Sequence, residues 1–167
     1  MWLPIPGYEG SYSVSDVGRV RSEARIVATP RGPRPIAERI LKPGLGGGGY
    51  YYSVNLRREG ASKSHLLHRL VAMAFIGPLP EGMQTRHVDG NPMNNVPSNL
   101  AYGTPGENAL DKVRHGRHHN AIKTHCKKGH ALDAGNTYIT SQGSRSCRIC
   151  SAEYLREYHR KRKLSKA

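Results

Sequence analysis

The stretch that decides the reading of this chain is Arg86-His87-Val88-Asp89-Gly90-Asn91, continued by Asn94-Asn95, Asn99-Leu100 and Thr104-Pro105-Gly106-Glu107-Asn108. Gln84 to Val88 reads as a short strand with a histidine near its end, and Leu100 to Tyr102 reads as a second strand. Gly, Pro and Asn crowd the segment between them, the composition of a turn-rich loop. Thr104 then opens a helix with clear punctuation. Thr104 stands at the N-cap, Pro105 at the first helical position, and Glu107 where a capping box needs its carboxylate. Gly116 is the expected stop. Strand, loop, strand and helix from Gln84 to Gly116 make a ββα unit.

Such a unit can place one imidazole and one amide oxygen on opposite sides of a phosphate. Phosphodiester hydrolysis needs an activated water, charge stabilisation on the phosphoryl oxygens and help for the leaving oxygen. A neutral imidazole takes a proton from water near physiological pH, which makes His87 the candidate base. Asn108, one turn into the helix, offers a hard oxygen ligand suited to Mg²⁺ or Mn²⁺, and the bound ion would act as a Lewis acid. Asn99 is expected to bond loop backbone and hold His87 in place. A histidine with a few asparagines would, by itself, serve equally well as a structural turn.

Toward the N-terminus, His65 to Phe75 reads as a helix with Leu66, Leu67, Leu70, Val71, Ala74 and Phe75 on one face, ended by Gly77-Pro78. His68 and Arg69 fall off that stripe and are candidate DNA contacts. Residues 1–60 look like a small β module, with Trp2, Ile5, Tyr8, Tyr12, Val14 and Val20 separated by glycine turns. Glu38 to Lys42 and Tyr50 to Arg57 are further strands, the second alternating with the period of a half-buried strand. Gly44 to Gly49 reads as a hairpin connection. It lacks the Gly-Lys-Ser/Thr ending of a phosphate loop.

Toward the C-terminus, residues 118–124 are polar and read as a linker between a 61–117 domain and a 125–167 module. That module holds every cysteine: Cys126 and His130 form a Cys-x3-His pair, and Cys147 and Cys150 a Cys-x2-Cys pair. Two close pairs of N and S ligands suit tetrahedral Zn²⁺ in a closed structural site. His125 is a weaker substitute for His130. After Cys150 a helical tail carries Arg156, Arg160, Lys161, Arg162 and Lys163, candidates for tracking phosphates.

Composition agrees. Lys and Arg number 26 against 12 acidic residues, a formal charge of +14, and the hydrophobic fraction is 37%. The surplus points to a polyanion, nucleic acid first. With one Phe and one Trp, several small cores are expected in place of one large one. No segment is apolar enough for a membrane span, and Met1-Trp2-Leu3-Pro4 does not read as a secretory leader, so a cytoplasmic location is expected.

The residues from Leu67 to about Gly116 resemble the HNH endonuclease family in its phage and homing-endonuclease branch. The run Gly7-Tyr8-Glu9-Gly10-Ser11-Tyr12, with Val14-Ser15 and Gly18-Arg19-Val20, is similar to the nuclease-associated module that precedes such domains. The resemblance implies an α+β chain with three parts: an N-terminal β module, a central ββα-metal unit, and a C-terminal zinc knuckle with a basic helix. It implies His87 as general base, Asn99 as the loop-fixing residue and Asn108 as metal ligand, cutting double-stranded DNA to leave 5′-phosphate and 3′-hydroxyl ends. One departure stands out. Many relatives carry an acidic or histidine ligand just before the base, where this chain has Arg86. Arg86 would then face phosphate, and Asp89 or Asp111, the latter a turn beyond Asn108, becomes the candidate for a second ligand to the ion. Two other readings stay open: an HNH scaffold that binds DNA without cutting it, and a packaging-associated phage nuclease that needs a partner protein.

Overall fold

The computed structural model describes residues 1–46 and 48–164. Short glycine-bounded apolar runs become strands, as their spacing dictates. β1 (Trp2–Pro4), β2 (Tyr12–Ser15) and β3 (Val20–Ser22) follow one another as an antiparallel meander. β4 (Arg25–Thr29) and β5 (Gly32–Ile36) form a separate hairpin, and β6 (Arg39–Leu41) returns to pair with β3. β7 (Gly44–Gly46), β8 (Tyr51–Arg58) and β9 (Ala61–Leu66) make a second antiparallel sheet. The glycine-rich connection is therefore half strand: Gly44 to Gly46 pairs with β8, a turn follows, and Gly47 lies outside the described residues.

α1 (Leu67–Phe75) follows β9 directly. His65 and Leu66 were expected in this helix but extend β9, where they pair with Val54 and Ser53. β10 (Gln84–His87) and β11 (Leu100–Gly103) pair antiparallel, with His87 opposite Leu100, and a 3-10 turn, Pro97–Asn99, leads into β11. α2 (Pro105–Arg114) starts with the expected capping box: the Thr104 hydroxyl accepts the Glu107 N–H, and the Glu107 carboxylate accepts the Thr104 N–H.

One core joins the N-terminal strands, β8, α1 and β11. Ile5, Tyr12, Val14 and Val20 pack with Val54 and Leu56 of β8, Leu67, Leu70, Val71 and Ala72 of α1, and Leu100 of β11. α1 is the joint, touching β1, β2, β8, β9, β10 and β11. Residues Met1–His115 accordingly form one compact unit, and Gly116–Ala167 a second.

In the second unit, the stretch read as a linker contains a short helix, α3 (His119–Ile122). β12 (Thr137–Ile139) and β13 (Arg145–Cys147) form a hairpin that runs straight into α4 (Arg148–Leu164). Among the described residues no helix is long and apolar enough to cross a membrane.

Candidate active site and metal centre

His87 closes β10, and the loop behind it is held by Asn99. The buried Asn99 side chain accepts the Asp89 N–H at 2.9 Å and donates to Asp89 Oδ1 at 2.9 Å and to the Asn94 carbonyl at 2.8 Å. Asp89 also accepts from the Asn94 amide at 2.8 Å and the Asn91 N–H at 2.7 Å. These bonds, the Asn94 amide first, hold its carboxyl below the usual range. Asp89 is thereby a hub of the loop.

Around the imidazole the structure gathers three residues to which the sequence had given other duties or none. His87 Nε2 lies 3.1 Å from Asn95 Oδ1, while the buried Asn95 spends its own Nδ2 on the Met93 carbonyl at 3.2 Å. An amide oxygen only accepts, so Nε2 carries the proton and Nδ1 is the basic nitrogen. Tyr51 stacks on the His87 ring at 6.1 Å between centroids, and His68 meets it edge-on at 5.0 Å. His68 was expected to touch DNA, but it is 4% exposed, packed in the first turn of α1 beneath His87 and Tyr51. Its Nδ1 is buried without a hydrogen-bond partner, and burial pushes its pKa down to about 4. His68 is thus a neutral buried neighbour of the imidazole, not a surface contact. Arg69 remains exposed on α1.

The opposite face of β10 looks at α2. Gln84 Oε1 accepts from Asn108 Nδ2 at 3.0 Å, which leaves the Asn108 oxygen as the acceptor of that amide. Arg86 donates to Asp111 Oδ2 at 2.7 Å, and Arg114 reaches Asp111 Oδ1 at 3.3 Å. Asp111, expected as a second ion ligand, therefore has both oxygens engaged by arginines, and the Arg86 bond chiefly holds its carboxyl below the usual range. Arg86 passes over Gly103, where a Cβ would stand 2.6 Å from its Nε, so only glycine leaves the guanidinium this path. Of the residues expected to hold a catalytic ion on this face, Asn108 is the one whose oxygen lies outside these bonds. That fits a small hard cation that keeps most of its shell as water and phosphate oxygen.

In the second unit Cys126, His130, Cys147 and Cys150 bring their ligand atoms within 4.8 Å of one another, a group that can hold a metal ion. His130 Nδ1 lies 3.5 Å from Cys126, 3.3 Å from Cys150 and 3.7 Å from Cys147, and Cys126 lies 3.6 Å from Cys150. Ligands about 2.0–2.3 Å from a common centre in a tetrahedron stand about 3.5 Å apart. His125 faces Thr124 instead. Asn136, unmarked in the sequence, donates to Cys147 at 3.4 Å and accepts the Ile149 N–H at 3.1 Å. The Cys150 N–H, aided by Asn136, holds the Cys147 thiol down to about 6, whereas burial pushes Cys150 up to about 12. Arg156, Arg160, Lys161, Arg162 and Lys163 are all exposed on α4.

Comparison with known proteins follows the same lines. A family profile described as HNH endonuclease matches residues 65–110, and the NUMOD4 motif matches residues 1–57. DNA endonuclease I-HmuI of Bacillus phage SP01 is 33% identical over 115 residues, covering 69% of this chain and 59% of its own. An uncharacterized HNH endonuclease, L245, of Acanthamoeba polyphaga mimivirus is 29% identical over 131 residues, 78% of this chain and 34% of its own. This chain thus spans about three fifths of the phage enzyme and a third of the viral protein. A solved structure described as DNA binding and cleavage by the HNH homing endonuclease I-HmuI superposes with a TM-score of 0.56 at 28% identity, covering 93% of this chain and 83% of that one.

Proposed function

We propose that the chain is an HNH endonuclease that hydrolyses phosphodiester bonds of double-stranded DNA in the manner of a phage homing endonuclease. The observation that carries this reading is the His87–Asn95 pair at the end of β10, inside a loop stapled by Asn99. Asn95 pins the proton on Nε2, so Nδ1 takes the proton from the attacking water. Tyr51 and His68 hold the ring plane, and no competing charge arises beside it because buried His68 stays neutral. A Mg²⁺ or Mn²⁺ ion on the Asn108 oxygen would supply Lewis-acid stabilisation of the phosphoryl oxygens. Arg86 and Arg69 are DNA contacts in this reading, with Arg86 held in place by Asp111. Cys126, His130, Cys147 and Cys150 would hold Zn²⁺ as a structural ion, and the basic face of α4 adds phosphate contacts.

A second reading, DNA binding without cutting, is favoured by one observation: the residue before the base is a guanidinium, and it is tied to the Asp111 carboxylate of α2. Incubating supercoiled plasmid with the protein and Mg²⁺ or Mn²⁺ separates the two. Cleavage predicts conversion to open-circular or linear DNA that disappears in His87→Ala. Plasmid left supercoiled in both metals by protein that still retards it in a gel would establish the second reading.

A further inference from the structure

The second unit is more strongly basic than the rest, with twelve Lys and Arg against three acidic residues after His115. Its helix α4 carries a feature that phosphate contacts alone do not require. Tyr154 and Tyr158, one turn apart, are 68% and 48% exposed, and their rings lie nearly parallel, 22° between planes and 6.5 Å between centroids. Beside Tyr154 an open cleft of about 380 Å³ separates α4 from the β12–β13 hairpin, lined by Tyr138, Ser146, Ser151 and Leu155 as well as by the thiol-bearing turn. Tyr138 is held across it by a 3.0 Å bond to Ser151, and the Arg148 guanidinium lies 5.6 Å from the Tyr138 ring. Two of the acidic residues are already paired, Glu153 with Lys128 and Glu157 with Lys161, and Lys161 and Arg162, three and four residues beyond Tyr158, share its side of α4.

We propose that this surface binds single-stranded DNA: bases stack on Tyr154 and Tyr158, one enters the cleft beside Tyr138, and the backbone follows Lys161 and Arg162. The chemistry selects this occupant. A duplex offers phosphates to arginines but keeps its base faces stacked on one another, so exposed tyrosine rings gain little from it. An unpaired strand presents both a polyanionic backbone and free π faces, which is the combination of aromatic platform and cationic groove that single-strand binding uses. The cleft has room for a flat heterocycle, and the cationic row supplies complementary charge. The proposal goes beyond the cleavage reading and does not depend on it, since it concerns residues remote in sequence from His87 and is read by binding alone.

The test uses the full chain with His87→Ala, so that no strand is cut during measurement. Anisotropy of a fluorescein-labelled 20-mer is titrated as a single strand and as a duplex. Tyr154→Ala is expected to weaken single-strand binding about tenfold or more while duplex affinity stays within about twofold. Tyr154→Phe, which keeps the π face, is expected to match the parent on both, and this excludes a folding defect as the cause. Equal losses on both DNAs, or no loss on the single strand, would overturn the proposal. Tighter binding of the matching RNA strand, or loss of self-association in Tyr154→Ala by sedimentation, would reassign the surface to RNA or to a second copy and overturn it as well.

Discussion

At the scale of single residues, the imidazole of His68 makes the most testable demand on the fold. It sits 4% exposed beside His87, and burial pushes its pKa to about 4 from an ordinary value near 6.5. In the unfolded chain this histidine protonates as pH falls below about 6.5, whereas in the folded chain it resists until about 4. The contribution is fully present above pH 6.5 and is lost as pH falls through that window. Each tenfold difference in proton affinity between the folded and unfolded chain is worth about 1.4 kcal/mol, so roughly 3 kcal/mol is at stake. Urea midpoints measured from pH 7 to 4 should therefore drop, and His68→Leu, which fills the same space without titrating, should flatten the drop. Identical midpoint losses in both proteins would show that His68 does not stay neutral in the folded state. His65, which burial also pushes down, titrates in the same window, and Glu23 starts to lose its contribution as pH falls through its ordinary value of 4.5, so the difference between the parent and His68→Leu, not the drop alone, reports His68.

At the scale of elements, the N-terminal strands and the ββα unit share more than a core. The turn between β2 and β3 contains Gly18, at φ +69°, and a Cβ there would stand 3.1 Å from both the Cβ and the carbonyl oxygen of Asn95. The turn thus buttresses the side chain that pins the proton on His87. Gly18→Ala carries two costs: a left-handed conformation, roughly 1–2 kcal/mol for a side chain, and pressure on Asn95. Gly10 is a built-in control, because it has the same φ of +69° and nothing within 4 Å of the added carbon. Gly10→Ala should lose only the conformational cost in urea and Gly18→Ala somewhat more, but only Gly18→Ala should slow plasmid nicking severalfold. Equal nicking rates in the two would remove the buttress. This contact also marks where sequence reading stops. The capping box at Thr104, the Asn99 staple and the Cys/His pairs were legible because each is a short local pattern whose partners lie within a few residues or repeat at ligand spacing. The neighbours of His87 were not. Tyr51, His68 and Gly18 reach it through packing across residues far apart in the chain, and His68 looked polar on a helical wheel drawn without the β8 strand above it. β9 escaped for a related reason: Ser62, Lys63 and Ser64 have no strand signature, and pairing with β8 alone makes them one.

At the scale of the whole molecule, the two units are stabilised by different means. The clustered hydrophobic core, from Ile5 to Leu100, belongs entirely to Met1–His115. Among the described residues of the second unit the sole buried residue of apolar class is Cys147 itself, at 7% exposure. A unit of 52 residues with twelve cationic side chains, and with no buried apolar cluster among its described residues, has little hydrophobic burial to offset its chain entropy. On the proposed reading, a metal ion held by Cys147 and Cys150 of the α4 turn and by Cys126 and His130 of the loop would carry the folding of this unit. Three thiols and an imidazole gathered within 4.8 Å are a donor set that suits a closed metal site. Dialysis against a strong chelator, followed by return of Mg²⁺ alone, should abolish the helical far-UV signal of α4 and the unfolding transition of the second unit. The transition of Met1–His115 should persist at its original midpoint. Adding back Zn²⁺ should restore both lost signals at one ion per chain, with three thiols becoming protected from modification at the same stoichiometry. Unchanged helicity and two intact transitions in metal-free protein would mean that the Cys/His cluster does not hold the unit together, and a loss of both transitions would mean that the two units fold as one.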